Sequence, residues 1–359
     1  MISHQPPHVA IDCLVPARRS RRDSRGASGY SLIELMVALA VASIVMAGMS
    51  QFFVTSSRAF SDTERTSRQI ENGRYATALL SEDIGHAGFY GEVGNVVNLP
   101  AGAAIAMPAS LPDPCATSIA SVAAALPLPI QGVDAPTAAP TCLPDYVSGT
   151  DVLVIRRSNT TTIAAGSIAT GGYYTQASFC ATESPVFKIA QSGFTLTGKD
   201  CTTVQPVRQY HVYLYYVASC SVGKGTGGAC LSTDTQIPTL KRAELATGGS
   251  ITISPLVEGV ENMQIEYGLD TTGDGVADSY TAAPASVTQW AQVVAIRLHL
   301  LVRNTQLTPG YTDTKTYQLG VNSDGSANTS APGGGYRRHA YTELVRVQNV
   351  SQRLESTFP

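Results

Sequence analysis

Charged residues are scarce in this sequence, and the motifs of common catalytic sites are absent from it. Asp, Glu, Lys and Arg make up 14% of the 359 residues, and the formal net charge is −3. This balance gives no indication of nucleic-acid binding, which usually requires a basic patch facing the phosphates. The sequence contains no G-x-S-x-G, no H-E-x-x-H and no phosphate-binding P-loop. A protein that is not an enzyme is therefore expected.

Formal charge is missing altogether from residues 35–54, which form one unbroken apolar run. A helix of roughly 20 such residues is long enough to cross a hydrocarbon core of roughly 30 Å. Arginines before a membrane segment keep that end in the cytoplasm. We therefore predict a single membrane pass with a cytoplasmic N-terminus, because five arginines precede the run: Arg18, Arg19, Arg21, Arg22 and Arg25.

The exception at the edge of the apolar run is Glu34, whose carboxylate costs a few kcal/mol to insert into a membrane. One interpretation is that Glu34 only caps the helix at the headgroup level. The heptapeptide G-Y-S-L-I-E-L that starts at Gly29 also resembles the class III signal of type IV prepilins and pseudopilins. The resemblance implies cleavage after Gly29 by a prepilin peptidase, N-methylation of the new N-terminal Tyr30, and a role for Glu34 in assembly.

Helical spacing continues beyond the apolar run. Steps of three or four residues, or their sum, separate Ile70, Gly73, Leu80 and Ile84, as on one face of a helix. Residues 55–84 also contain no proline. This pattern predicts one long helix, with a break near residues 48–51 or 55 as the alternative. The predicted organisation is a removed leader (1–29), a long helix (30–85) with a transmembrane segment at 35–54, and a β-rich globular domain (86–359).

The globular domain is expected to contain a largely antiparallel sheet, which makes the fold α+β. Alternating or continuous apolar runs predict strands at residues 150–157, 209–219, 256–270, 292–304 and 341–350. Residues 96–142 are rich in Ala and Pro, so we predict a surface excursion there with at most a short helix near 118–125. Residues 311–338 are rich in Gly, Ser and Asn and are expected to be mobile.

Seven cysteines accompany this topology. Cys13 lies in the leader, and the remaining even number suggests disulfides in an oxidising compartment. Fifteen connectivities are open to six cysteines. We predict the sequential one because each such pair brackets one loop-like stretch: Cys115–Cys142, Cys180–Cys201 and Cys220–Cys230.

Residues 270–278 offer a candidate calcium site. Asp270, Thr272, Asp274 and Asp278 fall at steps that resemble the first nine positions of a calcium loop, and Gly275 permits the sharp turn. The pattern lacks the bidentate glutamate at its twelfth position. The alternative is an Asp- and Gly-rich hairpin connection that needs these residues only for turn geometry. No other cofactor is indicated.

Several further segments resemble the PilW family of type IV pilus minor pilins. They are SEDIGHAGFYG (81–91), VLVIRR (152–157), LVEGVENMQIEYGLDTTGDG (256–275), VVAIRLHLLVRN (293–304) and RRHAYTELVRVQN (337–349). The resemblance implies a pilin-like fold and a structural subunit that helps to initiate or cap a pilus, with consequences for twitching motility and adhesion. It implies residence in the inner membrane with a periplasmic globular domain, followed by incorporation into the pilus.

The partners implied are the prepilin peptidase, other minor and major pilins, and the inner-membrane assembly platform; no nucleic acid is expected. Two alternatives stay open. A minor pseudopilin of a type II secretion system uses the same signal, and gene neighbourhood would separate the two. A pilus-tip adhesin or ligand-binding module would use the Ala/Pro-rich segment or the tyrosine-rich strand YHVYLYY (210–216) as its surface.

Overall fold

The computed structural model describes residues 29–99, 104–136, 140–225 and 228–355. The leader residues 1–28, with the five arginines and Cys13, lie outside the described residues. The chain divides into two compact units, Met1–Ala59 and Phe60–Pro359. The second half of the N-terminal helix belongs to the same unit as the sheets, and the predicted boundary near residue 85 stays a prediction.

Helix α1 (Leu32–His86) is a single 55-residue helix without the break that was considered near residues 48–51 or 55. Its residues in the first unit are exposed up to Ala59, including the whole apolar run. Among the described residues, this helix alone is long and apolar enough to cross a membrane. Length and composition therefore agree with the predicted transmembrane segment.

In the second unit, residues 60–86 of α1 pack on the sheets. Ala76, Leu80 and Ile84 are fully buried in the main core. The Gln69 side chain donates from Nε2 to the carbonyl oxygen of Val302 at 2.7 Å. The apolar spacing seen in the sequence thus marks the face that the helix buries.

The remaining elements of this unit are short helices and antiparallel strands. The helices are α2 (Ile119–Ala124), α3 (Val287–Ala291) and α4 (Gln348–Glu355). The strands are β1 (Ile130–Val133), β2 (Val152–Ser158), β3 (Tyr174–Ala177), β4 (Phe187–Ala190), β5 (Arg208–Ala218), β6 (Thr239–Leu245), β7 (Ile251–Glu258), β8 (Val260–Leu269), β9 (Ser279–Thr281), β10 (Val293–Arg303), β11 (Tyr317–Val321), β12 (Ala327–Ser330) and β13 (Arg338–Arg346).

The strands form three sheets. The first has seven strands, ordered β1-β2-β5-β3-β4, with β6 pairing with both β5 and β7. The second has four strands in the order β13-β10-β8-β9, and β11 with β12 makes a separate hairpin. All pairings are antiparallel. The α+β class and the long helix on antiparallel sheets are thereby confirmed.

Strand β5 separates two hydrophobic cores. Tyr213 and Tyr215 face the core shared with α1 and the four-stranded sheet, whereas Tyr210, Leu214 and Tyr216 face a second core. Successive side chains of β5 therefore point to opposite faces of the sheet, as expected of a strand, and both faces are buried.

The Ala/Pro-rich segment covers that second core. Val96, Val122 and Leu126 are at most 3% exposed. Helix α2 within it is capped by Ser118, whose hydroxyl accepts from the N–H of Ser121 at 3.1 Å. The prolines do keep regular structure short, but the apolar residues between them form a covering layer rather than a surface excursion.

Two other predictions differ from the structure. The strand expected at 256–270 is interrupted at Gly259, where φ is +87° and a Cβ would lie 2.5 Å from the Arg303 carbonyl oxygen. Residues 311–338 contain the β11–β12 hairpin, and their expected mobility stays a prediction. The last strand ends at Arg346, and residues from Gln348 form α4 instead.

A buried carboxyl links the two large sheets. Asp151 accepts hydrogen bonds from the backbone N–H groups of Ala135 (2.9 Å) and Ile265 (2.7 Å). Burial, assisted by the nearby Asp134, raises the pKa of the Asp151 carboxyl to about 7 despite these bonds. The folded protein therefore holds this proton more tightly than the unfolded chain does, and the group stabilises the fold most at low pH.

The free energy of unfolding should accordingly fall as the pH rises from 5 to 8. Between pH 5 and pH 8, wild type should lose about 2–3 kcal/mol relative to Asp151→Asn, which does not titrate. Urea unfolding of the full chain in detergent at both pH values measures the difference. Equal pH dependence of the two proteins would contradict a raised pKa at this position.

Gly73 allows α1 to approach the second sheet closely. A Cβ at this position would lie 2.2 Å from Cε2 of the Tyr341 ring, whereas a Cβ at Gly85 meets nothing within 4 Å. Alanine favours a helix over glycine by about 1 kcal/mol. The clash outweighs this gain at Gly73, because overpacking costs about 1–3 kcal/mol.

Gly73→Ala is therefore expected to lower the free energy of unfolding by up to about 2 kcal/mol. Gly85→Ala, the matched control in the same helix, should be neutral or stabilising. Denaturant unfolding of both variants measures this contrast. If Gly73→Ala is as stable as the control, the close packing of Tyr341 on α1 is wrong.

Candidate assembly site

The predicted cleavage site lies in the exposed segment before α1. Tyr30 is 84% exposed, and a Cβ built on Gly29 meets nothing within 4 Å. Neither residue is regular helix, which begins at Leu32. The peptide bond between them is therefore accessible and lies outside the regular helix, and no packing within the described residues requires the glycine.

Glu34 lies in the first turn of α1 and is exposed. The unpaired N–H groups of a helix N-terminus favour a negative charge nearby. Within the described residues no cationic side chain pairs with Glu34. In this part of the chain the carboxylate is therefore exposed and without a cationic partner.

Small and β-branched residues follow Glu34 along one face of the helix. At three- and four-residue spacing this face presents Val37, Ala38, Val41 and Ala42, all exposed. In lipid, small side chains let helices approach closely, and packing rather than hydrophobicity drives their association. The arrangement can bind other helices and offers no chemistry of its own.

The six cysteines form three disulfides: Cys115–Cys142, Cys180–Cys201 and Cys220–Cys230. These are the sequential pairs. The Cys115–Cys142 bond joins the middle of the Ala/Pro-rich segment (96–142) to its end. Asp145 lies beside the third pair, and these three side chains form the only described group of three metal-ligand types within 4.8 Å of one another. The sulfurs of Cys220 and Cys230 are joined in a disulfide, so neither can serve as a thiolate ligand for a metal ion.

The carboxylates of residues 270–278 bind backbone groups of their own loop. Asp270 accepts from the N–H groups of Gly273 (2.6 Å) and Gly275 (2.7 Å). Asp278 accepts from the N–H of Thr271 at 2.7 Å, and Asp274 accepts from the N–H two residues later at 2.9 Å. This pattern is typical of the hairpin interpretation. Calcium binding stays a prediction.

Titration calorimetry of the full chain in detergent at millimolar calcium tests it. A calcium site predicts a heat that disappears in Asp274→Ala and persists in Asp324→Ala, whose aspartate also caps a Gly-containing turn. Weak affinity is expected, because the bidentate glutamate is missing. No heat in wild type would leave the hairpin interpretation alone.

The tyrosine-rich strand considered as a ligand surface, and the arginine that follows the glycine run at residues 333–335, both have structural roles. The rings of Tyr213 and Tyr215 are at most 5% exposed and pack edge to face. Arg338, at the end of the glycine run, pairs with Glu261 at 2.5 Å and Asp313 at 2.9 Å. The tyrosine-rich strand is therefore sheet packing, and the arginine is an internal crosslink. Sequence spacing alone could not reveal these acidic partners, which lie 77 and 25 residues away.

Comparisons with known proteins give one family match to the N-terminal segment and another to part of the sheet unit. A family described as type IV pilus-assembly protein W matches residues 214–349, and the prokaryotic N-terminal methylation motif matches residues 24–50. A solved structure, a type IV-like pilin from Thermus thermophilus, is similar over 56% of this chain and 78% of its own, with 14% identity and a TM-score of 0.26. A TM-score this low supports no structural argument. No curated protein matches the chain.

Proposed function

We propose that this chain, which carries a region of the type IV pilus-assembly protein W family behind a prokaryotic N-terminal methylation motif, is a minor pilin that helps to initiate or cap a type IV pilus. The observation that carries the proposal is the register of the N-terminal segment. Gly29, Tyr30 and Glu34 directly precede an exposed apolar helix, and the family region lies in the following sheet unit.

Processing and location follow from the same segment. The motif implies a prepilin peptidase, which would cut after Gly29 and leave Tyr30 as a methylated N-terminus. Before assembly the apolar part of α1 would hold the chain in the inner membrane, with the sheet unit in the periplasm. Disulfides agree with that compartment.

Assembly itself would depend on helix packing rather than catalysis. Leaving lipid for a bundle of similar helices exchanges apolar surroundings for apolar surroundings, so close packing and charge pairing decide the outcome. The face with Ala38 and Ala42 provides close packing, and Glu34 provides the charge. The proposed partners are other minor and major pilins and the inner-membrane assembly platform.

Deletion of the gene, followed by complementation with the intact chain, tests the proposed function. Loss of surface pili and of twitching, restored by complementation, is the expected result. Normal piliation together with failed protein secretion would favour the pseudopilin alternative, since both systems use this signal. Normal piliation with lost surface attachment would favour an adhesive tip module.

A further inference from the structure

We propose that a polar cleft between α1 and the ends of β7 and β10 binds a neutral carbohydrate. The residues that define this polar cleft are Gln69 and Asn72 of α1, Glu258 of β7, Arg303 of β10 and Gln306. All of them belong to the unit that contains the sheets, Phe60–Pro359. The inference goes beyond the proposed function and does not depend on it.

The polar cleft has the size of a site for a small ligand. Its volume is about 400 Å³, and ligand sites usually enclose about 300–1,000 Å³. Two side chains of α1 cross to the opposite wall. Gln69 donates from Nε2 to the carbonyl oxygen of Val302 at 2.7 Å, and Asn72 donates from Nδ2 to the carbonyl oxygen of Glu258 at 3.0 Å. These bonds fix the separation of the walls, so the cleft exists before any ligand enters.

Apolar side chains are missing from the walls of the polar cleft. All eleven residues that line it are polar or charged. An apolar ligand would therefore displace water from polar groups without replacing their hydrogen bonds, which costs free energy. The composition of the walls favours a ligand that forms hydrogen bonds over most of its surface.

The charges around the polar cleft favour a ligand without net charge. Three arginines and two glutamates line it. Two of these arginines already have carboxylate partners, since Arg68 pairs with Glu64 at 2.5 Å and Arg303 pairs with Glu261 at 3.4 Å. Glu258 is exposed and forms no ion pair within the described residues. An anion would be repelled by Glu258 and a cation by the arginines.

The walls offer both acceptors and donors to a ligand. Gln69 is only 4% exposed, and Asn72 is partly buried. Each uses its NH₂ group on a backbone carbonyl, which leaves the side-chain oxygen without a partner among the described residues. Arg303 has a buried Nε–H that no described group accepts. Groups of this kind lose free energy unless they are hydrogen-bonded.

Hydroxyl groups suit this mixture, because each donates one hydrogen bond and can also accept others. A neutral sugar carries several hydroxyls on adjacent carbons. It can donate to the oxygens of Gln69, Asn72 and Glu258 and can accept from the remaining N–H groups of the walls. Glu258 should form the strongest of these bonds, because a hydrogen bond to an ionised group is stronger than one between neutral groups.

Saturation-transfer NMR on the full chain, in a detergent without a sugar headgroup, tests the proposal. The probes are glucose, galactose, mannose and N-acetylglucosamine, with glucuronate and glucosamine as charged comparisons. At least one neutral sugar should receive saturation from the protein and should bind more tightly than both charged sugars. No transfer to any of the four neutral sugars, or tighter binding of a charged sugar, overturns the proposal.

Glu258→Ala tests whether the sugar lies in the polar cleft. Loss of the charged hydrogen bond should weaken binding of the responding sugar about tenfold or more, with an unchanged melting temperature. Glu343→Ala is the matched control and should bind like wild type. Glu343 is also an exposed strand glutamate without an ion pair among the described residues, and it does not line the cleft.

Gln69→Met is a second variant in the opposite wall. It removes the unpartnered oxygen and retains a long side chain, so binding of the same sugar should again weaken. The melting temperature shows whether the variant is folded. Binding that is unchanged in both Glu258→Ala and Gln69→Met would place the sugar elsewhere and overturn the proposal.

Discussion

Gly29→Leu is expected to leave the protein as an uncleaved precursor. The peptidase must accept an extended backbone at the membrane face, and a side chain at the residue before the cut bond blocks that approach. The substitution should not disturb folding, since a Cβ at Gly29 meets nothing within 4 Å. Loss of cleavage can therefore be assigned to the peptidase rather than to a damaged fold.

Gel mobility and intact mass measure the result, because the precursor retains residues 1–29. Gly48→Ala is the matched control, since a Cβ there also meets nothing within 4 Å and Gly48 lies well inside the helix. Near-complete cleavage is expected for wild type and for the control, and almost none for Gly29→Leu. The same mass for all three proteins would contradict the prepilin interpretation.

Glu34→Ala is expected to be cleaved normally and to assemble poorly. The free N-terminal amine of a neighbouring subunit is the cation that best suits this carboxylate, because both would lie at the membrane edge of packed helices. A charged hydrogen bond contributes about 1.5–3 kcal/mol. Losing it should reduce incorporation about tenfold or more, since about 1.4 kcal/mol corresponds to a factor of ten.

Fractionation of cells and sheared pili measures this incorporation. Glu64→Ala serves as the matched control, because Glu64 is an exposed glutamate on the same helix that already pairs with Arg68 at 2.5 Å. The control should assemble like wild type, and Glu34→Gln should assemble little better than Glu34→Ala. Normal piliation in Glu34→Ala would remove this residue from the assembly role.

Local sequence determined the N-terminal helix of this protein and several of its longest strands. The signal from Gly29 to Glu34, the charge-free run and the periodicity of Leu80 and Ile84 each depend on residues a few positions apart. The strands at 152–158, 208–218 and 293–303 were likewise visible as apolar or alternating runs. Backbone periodicity is a local property, so a single sequence contains it.

Only the tertiary structure decided which surfaces are covered. The prolines between Val96 and Leu126 indicated irregular backbone, but they could not show that a second face of the seven-stranded sheet lies beneath them. The break at Gly259 arises from the Arg303 carbonyl, 44 residues along the chain. The polar cleft likewise depends on the contact of Gln69 with Val302, 233 residues along the chain. Burial and strand pairing depend on contacts between residues that are far apart in the sequence. A local sequence pattern therefore does not show which residues lie against each other in the fold.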